Sequence, residues 1–211
     1  ITFGEIMGRI APEGVRRFTQ SMPGAVEMSF AGAEANVAIS YSLLGGESAY
    51  ITALPKHAIA DACIASLRAR GVDTSRILRT DTGRLGIYYL ETGANQRPSN
   101  VIYDRAGSSI ALTPPDQYDW PTILAGFDCL HLTGITPSLS AEAAGATRDA
   151  AETAKKLGLR VSLDLNFRKK LWNWQPPLSA RELAEKTMRE ILPSVDIVVA
   201  NESDCADVLG I

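Results

Sequence analysis

Residues able to do chemistry gather at two kinds of place in this chain: the start of one apolar helix and the far ends of short apolar runs. At the first, Phe30-Ala31-Gly32-Ala33-Glu34-Ala35-Asn36 passes from a strand-like run, 26–30, into a helical one. Gly32 has no Cβ, so a ligand or another backbone can come close there. Asn36 stands within the first turn or so, among free N–H groups and the positive end of the helix dipole. Its amide either caps local backbone or reads a ligand. At the second kind of place, Thr133, Gly134, Asp164, Asn166, Arg168 and Asn201 each stand where an apolar run ends. Such positions bind and orient small molecules and do not supply a covalent nucleophile. No Ser/His/Asp set is seen, and Gly4 and Gly8 in the first run do not make G-x-G-x-x-G, so a dinucleotide fingerprint is absent. Cys63, Cys129 and Cys205 are odd in number and far apart, which indicates neither a disulfide framework nor a zinc site.

Alternating strand and helix patterns must position these groups. Residues 1–10 read as one short buried strand, 49–54 as a second, and 59–70 as a helix with Ala60, Cys63, Ile64 and Leu67 inward. Runs 127–134, 160–166 and 197–200 continue the strands. Helices are expected from Ser140 to Leu157, from Ser179 to Ile191, and after the Asn201-Glu202-Ser203-Asp204 cap. This rhythm predicts a parallel sheet, and the ends of its strands line the crevice in open α/β folds. The helix after Gly32 reads as buried nearly all round, with Ala33, Val37, Tyr41 and Leu44 as one stripe, Glu34 complementing the dipole, and Gly45-Gly46 as its stop. Two segments depart from the parallel pattern. Runs 16–20 and 26–30 look like a hairpin around Pro23-Gly24, and runs 84–91 and 99–105 should pair antiparallel as a flap or lid.

Bulk properties narrow the partners. With 211 residues, 45% hydrophobic content and a net charge of -3, the chain can form one large core and shows no nucleic-acid or membrane surface. The longest basic cluster, Arg168-Lys169-Lys170, is too short for either role. No apolar run approaches the length of a membrane span, and the cysteine usage fits a reducing cytosol. Because the chain opens on Ile1 and closes on Ile211, both ends are expected to have been trimmed.

The residues resemble the ribokinase-like sugar kinases. The matching pieces are Gly32-Ala33-Glu34-Ala35-Asn36-Val37-Ala38, Leu67-Arg68-Ala69-Arg70-Gly71-Val72-Asp73-Thr74-Ser75, His131-Leu132-Thr133-Gly134-Ile135-Thr136-Pro137, Ser162-Leu163-Asp164-Leu165-Asn166-Phe167-Arg168 and Ala200-Asn201-Glu202-Ser203-Asp204. Within the family, Asp164 to Arg168 followed by Leu171-Trp172, with Gly86-Ile87-Tyr88 ahead of Tyr103-Asp104-Arg105, is similar to the 2-keto-3-deoxygluconate kinases. The resemblance implies a three-layer α/β domain over 1–211 with a parallel central sheet and a small β lid, its strands near 10–30 and 84–106. It implies transfer of the γ-phosphoryl of ATP, with Mg2+, to a primary hydroxyl of a sugar held between lid and sheet. Carried over by position, Gly32, Ala33, Asn36, Tyr88, Tyr103, Arg105, Asn166 and Arg168 surround the sugar acid, and Asn166, Arg168, Asn201 and Asp204 lie toward the Mg-phosphate end. The chemistry agrees, since an Arg fork grips a carboxylate in two parallel hydrogen bonds and Tyr hydroxyls bind at little rotamer cost.

Three departures qualify the resemblance. The family's G-A-G-D segment, with the catalytic base, is not found in these residues and belongs after the last strand, so the chain alone is expected to be inactive. Ala60 stands where the family usually has Gly, and Asp204 where it has Glu. Simpler roles stand beside the sharp ones. His131 reads as a satisfied core histidine, His57 as surface, and Trp172 and Trp174 as packing. Arg168 pairs with Asp164 or binds substrate; Asp104 and Arg105 are an exposed pair, or Arg105 is a substrate contact. Tyr88 and Tyr89 point to opposite faces, and only the family spacing selects Tyr88. The competing functions are a fructokinase or other neutral-sugar kinase, a non-catalytic sugar-acid binding module, and a nucleotide-binding oxidoreductase, the last disfavoured by the missing fingerprint. A homodimer through the open strand edges of the lid is the expected assembly.

Overall fold

The computed structural model describes residues 1–211. The chain begins with β1 (Thr2–Phe3), β2 (Met7–Ala11), α1 (Phe18–Ser21), β3 (Glu27–Ala31), α2 (Ala33–Leu43), β4 (Ser48–Ile51), β5 (Ala53–Pro55) and α3 (Ala58–Arg68). It continues through β6 (Val72–Asp73), β7 (Leu78–Thr80), β8 (Ile87–Glu91), β9 (Asn100–Asp104), α4 (Ser109–Leu112) and α5 (Trp120–Leu124). The last third holds β10 (Cys129–Thr133), α6 (Ala141–Lys156), β11 (Arg160–Asp164), α7 (Ala180–Ile191), β12 (Ile197–Val199) and α8 (Glu202–Leu209).

Six strands form the central sheet in the order β12-β11-β10-β1-β4-β6, every pair parallel. The two-residue period of a strand sends alternate side chains to opposite faces, and here each face has its own core. Phe3, Ile51, Leu130, Leu132, Val161 and Leu163 point into a 24-residue cluster shared with α5, α6 and α7. Tyr50, on the other face, joins an 11-residue cluster with Ala35 and Ala38 of α2 and Ala60, Cys63 and Leu67 of α3. The result is the expected three layers. Helix α6 lies close to the sheet because its buried stripe is small: Ala143, Ala146, Ala150 and Ala154 are fully buried at helical spacing. Its start is fixed by Ser140, whose hydroxyl accepts from the Ala143 N–H at 3.0 Å.

A second sheet, β3-β2-β8-β9, forms the lid. Here the structure corrects three expectations. Residues 1–10 are not one strand: the chain leaves the central sheet at Gly4-Glu5-Ile6, and β2 belongs to the lid. The antiparallel partner of β3 is therefore β2, while 16–20 holds the short helix α1. There Gln20 accepts from the Arg17 N–H and Glu91 accepts from the Phe18 N–H, both at 2.9 Å, so side chains satisfy backbone that a hairpin would have paired. Run 49–54 divides at Thr52 into β4 and β5, and β5 pairs with β7 in a separate two-stranded sheet.

The stripe assigned to α2 also faces the other way. Ala35 and Ala38 rest on the sheet, whereas Val37, Tyr41 and Leu44 are exposed, Leu44 to 88%. The helix packs through its smallest residues, which bring its axis close to β1 and β4 and leave the larger side chains outside.

Candidate functional site

The parallel register sets Thr133 level with Asp164 and Asp164 level with Val199, so the ends of β10, β11 and β12 form one rim. Beyond that row the strands stay tied: the Gly134 N–H donates to the Asp164 carbonyl at 2.8 Å and the Leu165 N–H to the Val199 carbonyl at 2.9 Å. A Cβ at Gly134 would stand 2.1 Å from the Leu165 carbonyl oxygen, so glycine is required there. Asn166 follows with φ +36°, a left-handed backbone that a non-glycine residue holds only when its surroundings fix it. Asp164 fixes it by accepting from the Asn166 N–H at 3.1 Å, and Asp204 accepts from the next N–H, that of Phe167, at 3.3 Å. Asn201 caps α8 by accepting from the Asp204 N–H at 2.8 Å. Asp164, Asn201 and Asp204 thus build the rim. Arg168 stands on it, exposed and outside every ion pair, so the alternative Arg168–Asp164 pair does not form.

The start of α2 adjoins this rim through a group the sequence did not single out for the role. Glu34 is 1% exposed, and its Oε1 accepts from the Thr133 hydroxyl at 2.6 Å and the Thr136 hydroxyl at 2.9 Å. Burial raises its pKa above the ordinary 4.5, with the two threonine hydrogen bonds opposing. Glu34 therefore ties α2 to the end of β10; it is not a solvated complement to the helix dipole. What approaches Gly32 is backbone, since a Cβ there would lie 2.2 Å from the Glu5 carbonyl oxygen. Ala33 is half-buried. Asn36 is exposed; its N–H closes the first turn on the Gly32 carbonyl, and its side chain is left facing outward.

On the lid, cross-strand registers line up Ser29, Arg9, Tyr88 and Tyr103 on one face. The Tyr88 and Tyr103 ring centroids are 6.1 Å apart, and burial raises the Tyr88 pKa against the opposing charge of Arg9. Tyr89 points to the opposite face and meets Phe18 edge-on at 6.0 Å. Arg105, two residues beyond Tyr103 on the same face, forms a buried ion pair with Glu5, and its guanidinium carbon lies 5.5 Å from the Tyr103 ring centroid. Asp104 turns the other way into a two-pronged pair with Arg84 at 2.7 and 2.8 Å, so an exposed Asp104–Arg105 pair is not formed.

Contacts join the three groups in a continuous path. Arg105 reaches Glu5, whose carbonyl abuts Gly32; Glu34 reaches Thr133; and Gly134 abuts Leu165 beside Asn166. These contacts link lid face, helix start and strand rim, and the ground they cover is the candidate site. Glu5, Arg9 and Glu34 were missed as contributors. The usable signal is an acid, Glu5, as the one charge in run 1–7, where a carboxylate is buried only if paired. His131 and His57 lie outside this ground. His131 meets the Ser162 hydroxyl at 3.2 Å, with burial lowering its pKa, while His57 is exposed and caps α3 by accepting from the Ala60 N–H at 3.1 Å. Trp172 is buried in the larger core, and Trp174 packs against it.

The pfkB family carbohydrate kinase model matches residues 2–211. The chain is 37% identical over 210 residues to the 2-dehydro-3-deoxygalactonokinase of Haloferax volcanii, covering 99% of this chain and 62% of that protein. It superposes on a crystal structure of 2-dehydro-3-deoxygluconokinase from Thermotoga maritima with a TM-score of 0.92 and 41% identity, over 100% of this chain and 61% of the other. Fructokinase-2 of Solanum lycopersicum is 26% identical over 212 residues, with 100% of this chain and 61% of that protein covered. The chain thus spans about three-fifths of the length of these relatives. Its parallel sheet, strand-end rim and four-stranded lid, together with the match across nearly every residue, make it a member of the pfkB family of carbohydrate kinases.

Proposed function

We propose that these residues belong to an ATP-dependent sugar-acid kinase acting on 2-keto-3-deoxygluconate, or a 2-keto-3-deoxy acid differing from it in one hydroxyl configuration, at its terminal hydroxyl. The reading is carried by Arg168, which stands exposed at the strand rim outside every ion pair, and is supported by a lid face that bears Tyr88, Tyr103 and Arg105. A guanidinium on each side, that of Arg168 free and that of Arg105 shared with Glu5, favours an anionic sugar over a neutral one. Asn36, whose side chain is exposed beside Gly32 and Ala33, offers an amide for sugar hydroxyls. Phosphoryl transfer asks mainly for alignment and neutralisation of charge, which a closing lid and two arginines supply without a covalent intermediate.

ATP brings Mg2+ on its phosphates in this reading. Asn166, Arg168, Asn201 and Asp204 act near those phosphates. The acceptor-activating base lies in residues outside this chain, and 1–211 alone does not turn over; the exposure of Ile197, Val198 and Val199 on β12 supports added structure there. No helix is long and apolar enough to cross a membrane; the cytoplasm is part of the proposal. The lid pairs with that of a second copy. The test is ADP release by the full reading frame with 2-keto-3-deoxygluconate, 2-keto-3-deoxygalactonate and fructose. Higher kcat/KM for an acid supports the reading; equal or better turnover of fructose sinks it.

A further inference from the structure

The junction between lid and body holds a buried ion pair whose geometry has a use in recognition. Glu5 is mounted on a fixed segment: the Gly4 N–H donates to the Ile51 carbonyl at 3.1 Å, and the buried Tyr50 hydroxyl donates to the Gly4 carbonyl at 2.7 Å. From there its carboxylate crosses to the lid, where Oε2 accepts from Arg105 Nη2. The Glu5 and Arg105 side chains are 3% and 10% exposed. Two polar atoms of the pair, Glu5 Oε1 and Arg105 Nε, are buried without a partner. Gly86 leaves room for the pair, because a Cβ there would come within 3.1 Å of Glu5 Oε1 and 3.3 Å of Arg105 Cβ.

We propose that Glu5 is a positioning and specificity residue: it grips Nη2 of the Arg105 guanidinium from the body of the protein and so fixes Nη1, the one nitrogen that is neither buried nor hydrogen-bonded, toward the carboxylate of a sugar acid. An arginine held by its stem alone samples many rotamers and loses that entropy when it binds; one already fixed at Nη2 loses less. Glu5 also carries off part of the Arg105 charge while the site is empty, which makes a buried guanidinium tolerable. The inference rests on the sugar-acid reading of the site, and its test separates the two.

Glu5→Gln keeps the volume and an acceptor but removes the charge that strengthens the bond about twofold; Glu5→Ala removes the grip. In the full reading frame, KM for 2-keto-3-deoxygluconate should rise about fivefold in Glu5→Gln and more in Glu5→Ala, with kcat changed less than about twofold and KM for fructose unchanged. If Glu5→Ala does not fold, Glu5→Gln decides alone. An unchanged KM for the acid overturns the proposal, as does an equal loss for acid and fructose, or a fall in KM, which would mean that Glu5 competes for Arg105. A substrate-free readout is the 15N–1H signal of Arg105 Nε, identified by its loss in Arg105→Lys. It should be sharp in the parent and broadened in Glu5→Gln, and an unchanged signal overturns the positioning role. A parent enzyme with no preference for the acid removes the sugar-acid reading, and this signal still decides whether Glu5 holds Arg105.

Discussion

Glu34 and Arg168 show how differently single residues expose their roles. An acid in the first turn of a helix has the same sequence signature whether it faces water or a core. Only the structure shows that Glu34 is closed in by Gly4, Thr133 and Thr136. Its folded-state pKa is raised, so folding takes up a proton: the carboxyl is tolerated best below its ordinary value of 4.5, and stability is lost as pH climbs from there toward the folded value. Glu34→Gln should therefore flatten that part of the stability-versus-pH curve, measured as thermal midpoint from pH 4 to 8 relative to the parent. A Glu34→Gln profile parallel to the parent's would show that Glu34 does not titrate there. Glu34→Ala should cost about 2–4 kcal/mol, because it opens a cavity and leaves two threonine hydroxyls unpaired. Arg168 is the opposite case: the family likeness names it a substrate contact, and the structure leaves it exposed and outside every ion pair. Arg168→Met should leave the thermal midpoint within about 1 °C and raise KM for the sugar acid about ten- to a hundredfold, the value of a hydrogen bond to a charged group. A changed midpoint with unchanged KM would assign Arg168 to folding.

At the scale of elements, the parallel strands and long helices were legible because their signals are local: two-residue alternation, a Ser cap at 140 or 179, glycine stops. The capping box at the start of α7 is one such signal, with Ser179 and Glu182 exchanging hydrogen bonds at 2.8 and 3.3 Å. Ser179→Ala should lower stability by about 1 kcal/mol in a denaturant titration and leave activity unchanged. The lid was read less well, since β2 and β8 pair across about 80 residues of sequence and no local pattern reports that pairing. Residues 16–20 alternate like a strand, yet α1 forms because Gln20 and Glu91 satisfy its backbone. The stripe on α2 was misassigned for a related reason, as sequence ranks hydrophobicity and the sheet selects small size. The β10–β11 crossing gives a test at this scale. Gly134→Ala forces a Cβ against the Leu165 carbonyl, and backbone cannot yield as a side chain can. It should cost about 1–3 kcal/mol and reduce kcat/KM by displacing Asn166 and Arg168; an unaltered kcat/KM would separate the rim from the site.

For the whole molecule, the lid presents a second face, opposite Tyr88, on which the registers align Met28, Ile10, Tyr89 and Ile102. Met28 is 42% and Ile102 55% exposed, so the row is apolar and its two ends are open to water, with Ile10 and Tyr89 half-buried between them. A lid-to-lid dimer would cover it, and light scattering should give twice the protomer mass for the full reading frame and a shift to monomer for Ile102→Glu. Assembly is the property that sequence reports least, because the exposed face of a lid strand and its inner face share one alternating pattern. The account as a whole stands on a site closed from two sides around one anionic sugar. Calorimetric titration of the full reading frame with 2-keto-3-deoxygluconate and with its analogue reduced at C1 from carboxylate to alcohol measures that directly. The acid is expected to bind at least about tenfold more tightly, the least that one charge-assisted contact contributes; equal affinities would contradict it.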